Sequence, residues 1–344
     1  MKKIVFRKEL VSARIRNPLK NFDTTEENIE IRWDPLLNYS SRITRPKGLD
    51  KVPEGKPLLE YAASQSSCFF CRDRVEKSTP KLPEDIEPAG RLKAGEAILF
   101  PNLSGFGAYS AVCIFSGEHF IPPEKFTIDL IRDAFTACRD YFRKCTAADN
   151  RILYPSVNWN YFLPSGSSIL HPHLQPFLDP FPTNFHGNLL SASKSYFENN
   201  AQTYWKSLME TEKDGDRYLF ETVNCFLYSP FAPLGFNEIN GIFKTDTGFT
   251  DFTCDLLNDL ASCLHRIMQF YHKIEHNSFN FTLFSPPVPP ADKSGFQCQF
   301  RICTRPVFAA YYRNDVTFFE KFHLENMLDQ PPEETVKLFR STSD

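Results

Sequence analysis

The stretch SGSSILHPHLQPF, Ser165 to Phe177, sets two histidines and a glutamine on alternate positions behind a Gly/Ser loop, in a chain with 8 histidines among 344 residues. In an extended strand side chains alternate between faces, so His171, His173 and Gln175 share one face while Pro172 and Leu174 point to the other. Proline gives no N–H to a ladder, which suits a strand start or an edge strand. A neutral imidazole is a competent nucleophile toward phosphorus, and the covalent intermediate it forms divides one transfer into two displacements. A glutamine amide donates to a phosphate oxygen where negative charge builds. The stretch therefore reads as an exposed sheet edge able to hold an oxyanion, against the plainer alternative of two histidines satisfied by water or core hydrogen bonds.

Working outward, short apolar runs flank this strand. EAILFPN (Glu96 to Asn102) and YSAVCIFS (Tyr109 to Ser116) resemble paired antiparallel strands around a Gly-containing turn. From Thr127, residues Ile128, Ile131, Phe135, Cys138, Phe142 and Cys145 recur at alternating spacings of three and four, which predicts an amphipathic helix. SVNWNYF (Ser156 to Phe162) is a further strand. The same order returns in the second half. There CFLYSPF and NGIFK predict strands, Leu256, Leu260, Leu264, Ile267, Tyr271 and Ile274 mark a helix, and SFNFTLF (Ser278 to Phe284) and FQCQFRICTRP predict strands again. Strand, strand, helix, strand, loop, strand thus occurs twice, and only the first copy carries histidines. The first 66 residues are polar, proline-punctuated and weakly periodic, as expected of an extended arm and loops.

Composition narrows the function classes. The net charge is −3 with both signs well mixed, so no basic field invites nucleic acid. No apolar run is long enough to span a bilayer, and MKKIVFRKELVSARIRN lacks the apolar core of a signal peptide. The 10 cysteines are scattered, with Cys113, Cys138, Cys225 and Cys263 inside apolar patterns, which suits a reducing cytoplasm better than a disulfide scaffold. SSCFFCRDR supplies one CxxC, Cys68 and Cys71, able to give two thiolates to a zinc ion. His119 in FSGEHF and His171 are the candidates for the remaining ligands. A redox pair or two unconnected buried thiols fit a lone CxxC equally well.

In ordered combination these segments resemble the galactose-1-phosphate uridylyltransferase family, the HPHxQ nucleotidyltransferase branch of the histidine-triad superfamily. RWDPLLNYSSRITRP resembles its amino-terminal segment, with Arg42 and Arg45 at the paired arginine positions. Cys68 and Cys71 match its metal-binding CxxC, LFPN ends in the nucleotide-contacting Asn102, and IFSGEHF brings His119. NYFLPSGSSILHPHLQ matches the active-site run, with Asn160, Gly166 and Ser168 at the expected offsets.

The resemblance implies an α+β fold of two tandem histidine-triad-like domains, antiparallel half-barrel sheets with flanking helices. Residues 1–66 would be the arm packed on the body, 67–200 the first domain with the metal and HPHLQ sites, and 201–344 the second, lacking the HxH pair. His173 would attack the α-phosphorus of a nucleoside-diphosphate sugar and release a sugar 1-phosphate; a second sugar 1-phosphate would collect the nucleotide. Gln175 would assist catalysis, and Arg42, Arg45, Asn102, Asn160 and Ser168 would bind substrate. Cys68, Cys71, His119 and His171 would hold one structural zinc in a cytoplasmic homodimer. Three features depart from the family pattern. Leu174 replaces a usually small residue, the last strand QFRICTRP lacks a histidine pair, and Thr317 and Phe318 stand where an Arg-Lys pair contacts the hexose phosphate. The altered acceptor segment leaves phosphorolysis or hydrolysis of nucleotide sugars or dinucleotides as an alternative, and a non-catalytic nucleotide-binding paralogue as another.

Overall fold

The structure, a computed structural model, describes residues 4–44, 68–289, 291–292, 295–308 and 314–342. The chain opens with β1 (Arg7–Asn17), β2 (Asp23–Trp33) and β3 (Ser40–Ile43). A short helix α1 (Val75–Ser78) leads to β4 (Leu92–Ala94), β5 (Ala97–Pro101), β6 (Tyr109–Ile114), α2 (Ile128–Ala148), β7 (Tyr154–Tyr161) and β8 (His173–Asp179). After α3 (Asn184–Asn200) and α4 (Tyr204–Glu212) come β9 (Tyr218–Glu221), β10 (Cys225–Tyr228), β11 (Phe236–Phe243), α5 (Cys254–Lys273), β12 (Phe279–Phe284) and β13 (Gln299–Thr304). The last elements are β14 (Asn326–Leu328) and α6 (Pro332–Thr342).

Ten strands form one antiparallel sheet in the order β4-β5-β6-β8-β7-β12-β13-β11-β10-β9. Each half has three strands, a helix and two strands, and the halves meet where β7 pairs with β12, with Asn160 opposite Asn280. The repeat read from the sequence lacks the first strand of each copy. β4 and β9 are only 3 and 4 residues long, too short to show a period. The fold is thus α+β, with its two repeated halves fused through a shared ladder.

Helices α2 and α5 cover one face of this sheet. The Thr127 and Thr253 hydroxyls accept from the amides of Leu130 and Leu256, at 3.2 and 3.4 Å, and so cap both helices. Beyond the caps, Ile131, Phe135, Cys138, Phe142 and Cys145 on α2 and Leu260, Leu264, Ile267 and Tyr271 on α5 are fully buried. Burying each large side chain contributes about 1.5–3 kcal/mol. Phe135 meets the rings of Phe249 and Phe281 edge-on, so Phe135→Ala would leave a cavity costing about 3–5 kcal/mol.

The arm is more regular than its sequence suggests. β1 and β2 form an 11-residue in-register hairpin from Arg7 opposite Trp33 to Asn17 opposite Asp23. Most of β1 is exposed, so no core imposes the alternation by which a strand is recognised. β3 continues the sheet and β14 joins it in parallel, so the C-terminal segment closes onto the arm. There Arg32 donates to both Glu333 oxygens, at 2.8 and 3.0 Å, and Arg217 shares the same carboxylate. Among the described residues no helix is long and apolar enough to cross a membrane.

Candidate active site and metal centre

The turn after Cys68 is shaped by its sulfur, which accepts from the Phe70 amide at 3.4 Å, while the Cys71 amide reaches the Cys68 carbonyl. The Arg72 amide then donates to the Gly117 carbonyl, joining this turn to the loop that carries His119. Gly117 is required there, because a Cβ would lie 2.7 Å from that of Arg72. From the third direction comes His171, fully buried just before β8.

These segments bring the ligand atoms of Cys68, Cys71, His119 and His171 within 4.8 Å of one another. Cys71 Sγ lies 3.4 Å from His119 Nδ1 and 4.0 Å from His171 Nδ1, and Cys68 Sγ lies 3.9 Å from the latter. His171 Nε2–H donates to the Ser116 carbonyl at 2.8 Å, which leaves the Nδ1 lone pair facing the sulfurs. Without a cation, burial and the neighbouring Cys68 push the Cys71 thiol up to about 11. Burial takes His171 down to about 4 and lowers His119 as well. Two neutral imidazoles beside two cysteine sulfurs are a donor set that suits a soft divalent ion. The group can hold a metal.

One pleat along, His173 Nδ1–H donates to the His171 carbonyl at 2.8 Å, so its Nε2 carries the free lone pair. Burial lowers its pKa, against the opposing pull of that carbonyl, and the ring is 6% exposed. Phe70, between the two cysteines, meets the His171 and His173 rings edge-on at 6.0 and 5.5 Å. This packing contact ties the CxxC turn to His173, and no sequence motif marks it.

The strand bearing His173 is not a sheet edge. β8 lies between β6 and β7, and Pro172 escapes the ladder because it precedes the first paired residue. Leu174 is fully buried on the helix-covered face, opposite Cys113 of β6. Gln175 is opposite Asn158 on β7, and its Oε1 accepts from Asn160 at 3.5 Å. After β7 the chain turns at Phe162, held at φ 73°, a region costly for any side chain. Its carbonyl accepts from the Ser165 amide and hydroxyl and from the Ser167 amide. That turn carries Gly166 and the exposed Ser168 toward the start of β8.

Other candidates stand on other elements. Asn102 follows β5, with its side-chain oxygen accepting from the Ser104 amide at 3.1 Å. Arg42 is on β3 in the smaller sheet, ion-paired with Glu325 at 3.0 Å. Arg45 lies outside the described residues. Thr317 donates its amide and hydroxyl to Glu320, both at 2.7 Å, and Phe318 packs on Phe319. On β13, Arg301 pairs with Glu238 at 2.6 Å.

No protein-family model matches the chain. An uncharacterized protein of Archaeoglobus fulgidus is 34% identical over 338 residues, 97% of this chain and 98% of that protein. Among solved structures, an ADP-glucose phosphorylase from Arabidopsis thaliana with bound ADP-glucose superposes with a TM-score of 0.72 at 18% identity, over 92% of this chain and 100% of that one. A GalT-like protein from Arabidopsis thaliana gives 0.70 at 19%, over 91% and 99%. A uridylyltransferase gives 0.66 at 19%, over 90% and 97%. The chain belongs to one family with the Archaeoglobus protein, and its fold is the one shared by the ADP-glucose phosphorylase, the GalT-like protein and the uridylyltransferase on which it superposes.

Proposed function

We propose that the protein is a nucleotidyltransferase that moves a nucleoside monophosphate from a nucleoside-diphosphate sugar to a second sugar 1-phosphate through a covalent His173 intermediate. The observation that carries this reading is the hydrogen bond from His173 Nδ1–H to the His171 carbonyl, which leaves Nε2 as the attacking atom. Nε2 forms a bond to the α-phosphorus, the phosphoanhydride P–O bond breaks, and the sugar 1-phosphate leaves with that electron pair. An oxygen of the incoming sugar 1-phosphate then displaces the imidazole, breaking the N–P bond and restoring neutral His173. As positive charge grows on the ring, the His171 carbonyl stabilises the Nδ1–H, and the Gln175 amide donates to a non-bridging oxygen.

In this reading residues 67–200 are the catalytic unit and 201–344 its duplicated partner. Cys68, Cys71, His119 and His171 would hold a zinc ion, which supplies a fixed anchor for the His171 segment. Asn160, Ser168 and Asn102 would line the nucleotide and phosphate site, with Arg42 and Arg45 brought by the arm. A homodimer belongs to the same proposal, supported by the exposed Leu10, Val11 and Ile15 along β1; sedimentation velocity would show a species of twice the chain mass, and a monomer at all concentrations would contradict it.

A second acceptor, inorganic phosphate, is favoured by one observation. Thr317 is engaged with Glu320 and Phe318 is 59% exposed, so the segment expected to grip a hexose phosphate offers no cation at those positions. Phosphate attacking the same intermediate would release a nucleoside diphosphate. The test is a panel of uridine, adenosine and guanosine diphosphate sugars with sugar 1-phosphates or phosphate as acceptors. Parallel double-reciprocal lines are expected; intersecting lines would indicate direct transfer and remove His173 from the nucleophile's role.

A further inference from the structure

Polar side chains on the sheet face away from α2 and α5 form one directed series of hydrogen bonds from the second half into the first. Asp315 accepts from Arg305 Nε at 2.6 Å and Nη2 at 2.5 Å. Arg305 Nη1 donates to Asn280 Oδ1 at 2.6 Å. Asn280 Nδ2 donates to Asn160 Oδ1 at 2.7 Å and to the Ser165 carbonyl at 2.9 Å. Asn160 Nδ2 donates to Gln175 Oε1 at 3.5 Å, the longest link.

A guanidinium donates and never accepts, whereas an amide can present either its oxygen or its nitrogen. Arg305 at one end therefore fixes every amide after it. Asn280 must turn its oxygen to Arg305 and its nitrogen to Asn160, and the Ser165 carbonyl, which only accepts, makes the same demand independently. Asn160 then offers its nitrogen to Gln175. Gln175 is left with its oxygen occupied and the N–H groups of Nε2 available to a ligand. Reversed, it would present a carbonyl oxygen to an anion.

We propose that Asn280 and Arg305 are positioning residues that hold the Gln175 amide with its donors toward the substrate phosphate. The second half of the sheet, though it carries no histidine on β13, thereby sets the polarity of the site in the first. The proposal rests on the reading of Gln175 as a phosphate donor.

Asn280→Asp tests it with almost no change of shape. A carboxylate at 280 accepts only, so Asn160 and then Gln175 reverse. Nucleotidyl-enzyme formation should slow by ~10²–10³, the scale of losing one oxyanion donor, with a modest fall in Tm because the carboxylate also loses the hydrogen bond to the Ser165 carbonyl. In a Gln175→Ala background the same substitution should add nothing, and Arg305→Lys, which keeps a donor-only cation, should stay within about tenfold of the unmodified rate, well above Arg305→Met. Multiplicative losses in the double variant, or an unchanged rate in Asn280→Asp, would overturn the proposal. Neutron diffraction from deuterium-exchanged crystals reads the series without substrate. Deuterons on Asn280 Nδ2 facing Asn160, and on Asn160 Nδ2 facing Gln175, are expected, and the reverse arrangement would overturn it. If the unmodified protein forms no adduct with any nucleotide sugar, the functional reading fails by itself and the neutron map still judges the amide series.

Discussion

The sheet face opposite α2 and α5 is built twice from the same strand order, and its two halves have different fates. In the first half it is met by the CxxC turn and the Phe162–Leu170 loop, with a small apolar cluster of Phe70, Val75, Phe100, Val112 and Ile114 beneath. His173 and Gln175 emerge beside that cluster. In the second half α3 and α4 lie over the face, packing Leu189, Tyr204, Trp205 and Leu208 against Phe226, Tyr228, Ile242, Phe284 and Phe296. There Arg301 projects, neutralised by Glu238 and bonded to the Tyr39 hydroxyl at 2.9 Å. The ladder supplies the alternation in both copies, but among the described residues a Cys/His cluster is assembled where short turns, and not two helices, meet the strands.

Several substitutions would break or sharpen that contrast. The largest effect is expected from His173→Gly, which should abolish transfer while leaving nucleotide-sugar affinity, measured calorimetrically, close to the unmodified value; comparable residual turnover would contradict the covalent route. Next is the metal. Elemental analysis should find one zinc per chain, and the Cys68→Ser, Cys71→Ser double variant should contain none and lose transfer with it, because His171 is no longer held; unchanged zinc content would refute the ligand set. In the second half, Arg301→Met should cost about 3–5 kcal/mol of stability by stranding buried Glu238. Chemical denaturation reads this loss, and the variant should keep its zinc and its reaction with nucleotide sugars.

The smallest effect concerns the helices that cover the second half. His186 on α3 donates Nε2–H to the Ser285 carbonyl at 2.9 Å, among Phe284 and Phe296. Burial takes its pKa down to about 4. Between the ordinary histidine value, near 6.5, and about 4 the unfolded chain binds the extra proton, so stability falls as pH drops through that window and this contribution is exhausted below it. The swing is on the order of 3 kcal/mol. Denaturation curves of the protein and His186→Gln should diverge in slope across that window; parallel pH profiles would show that His186 does not titrate there.

The parts of the fold legible in the sequence are those whose physics is local. The helical stripes of α2 and α5 have a period and a threonine cap, and the HPHLQ alternation needs only an extended strand. β4, β9 and β14 are too short to show a pattern, and the arm has water where a core would impose one. The four Cys/His candidates were separable in sequence because each sits in a recognisable turn or strand end. Other site contacts depend on register across distant pairs. Asn280 reaches Asn160 from 120 residues away, and nothing near either residue announces that β7 and β12 are neighbours. Arg42 finds Glu325 through the pairing of β3 with β14, again invisible locally. Phe70 touches both imidazoles from between the cysteines, a contact that no period or motif in the sequence marks.

The central claim, that one imidazole carries the nucleotide between donor and acceptor, is tested most directly by trapping the intermediate. The protein, mixed with a nucleoside-diphosphate sugar without acceptor and quenched within one turnover, should gain the mass of one nucleotidyl group, a nucleoside monophosphate less water, and peptide mapping at alkaline pH should place it on His173. Addition of sugar 1-phosphate or phosphate before the quench should discharge it. A nucleotide sugar consumed with no added mass, or mass on any other residue, would contradict the account.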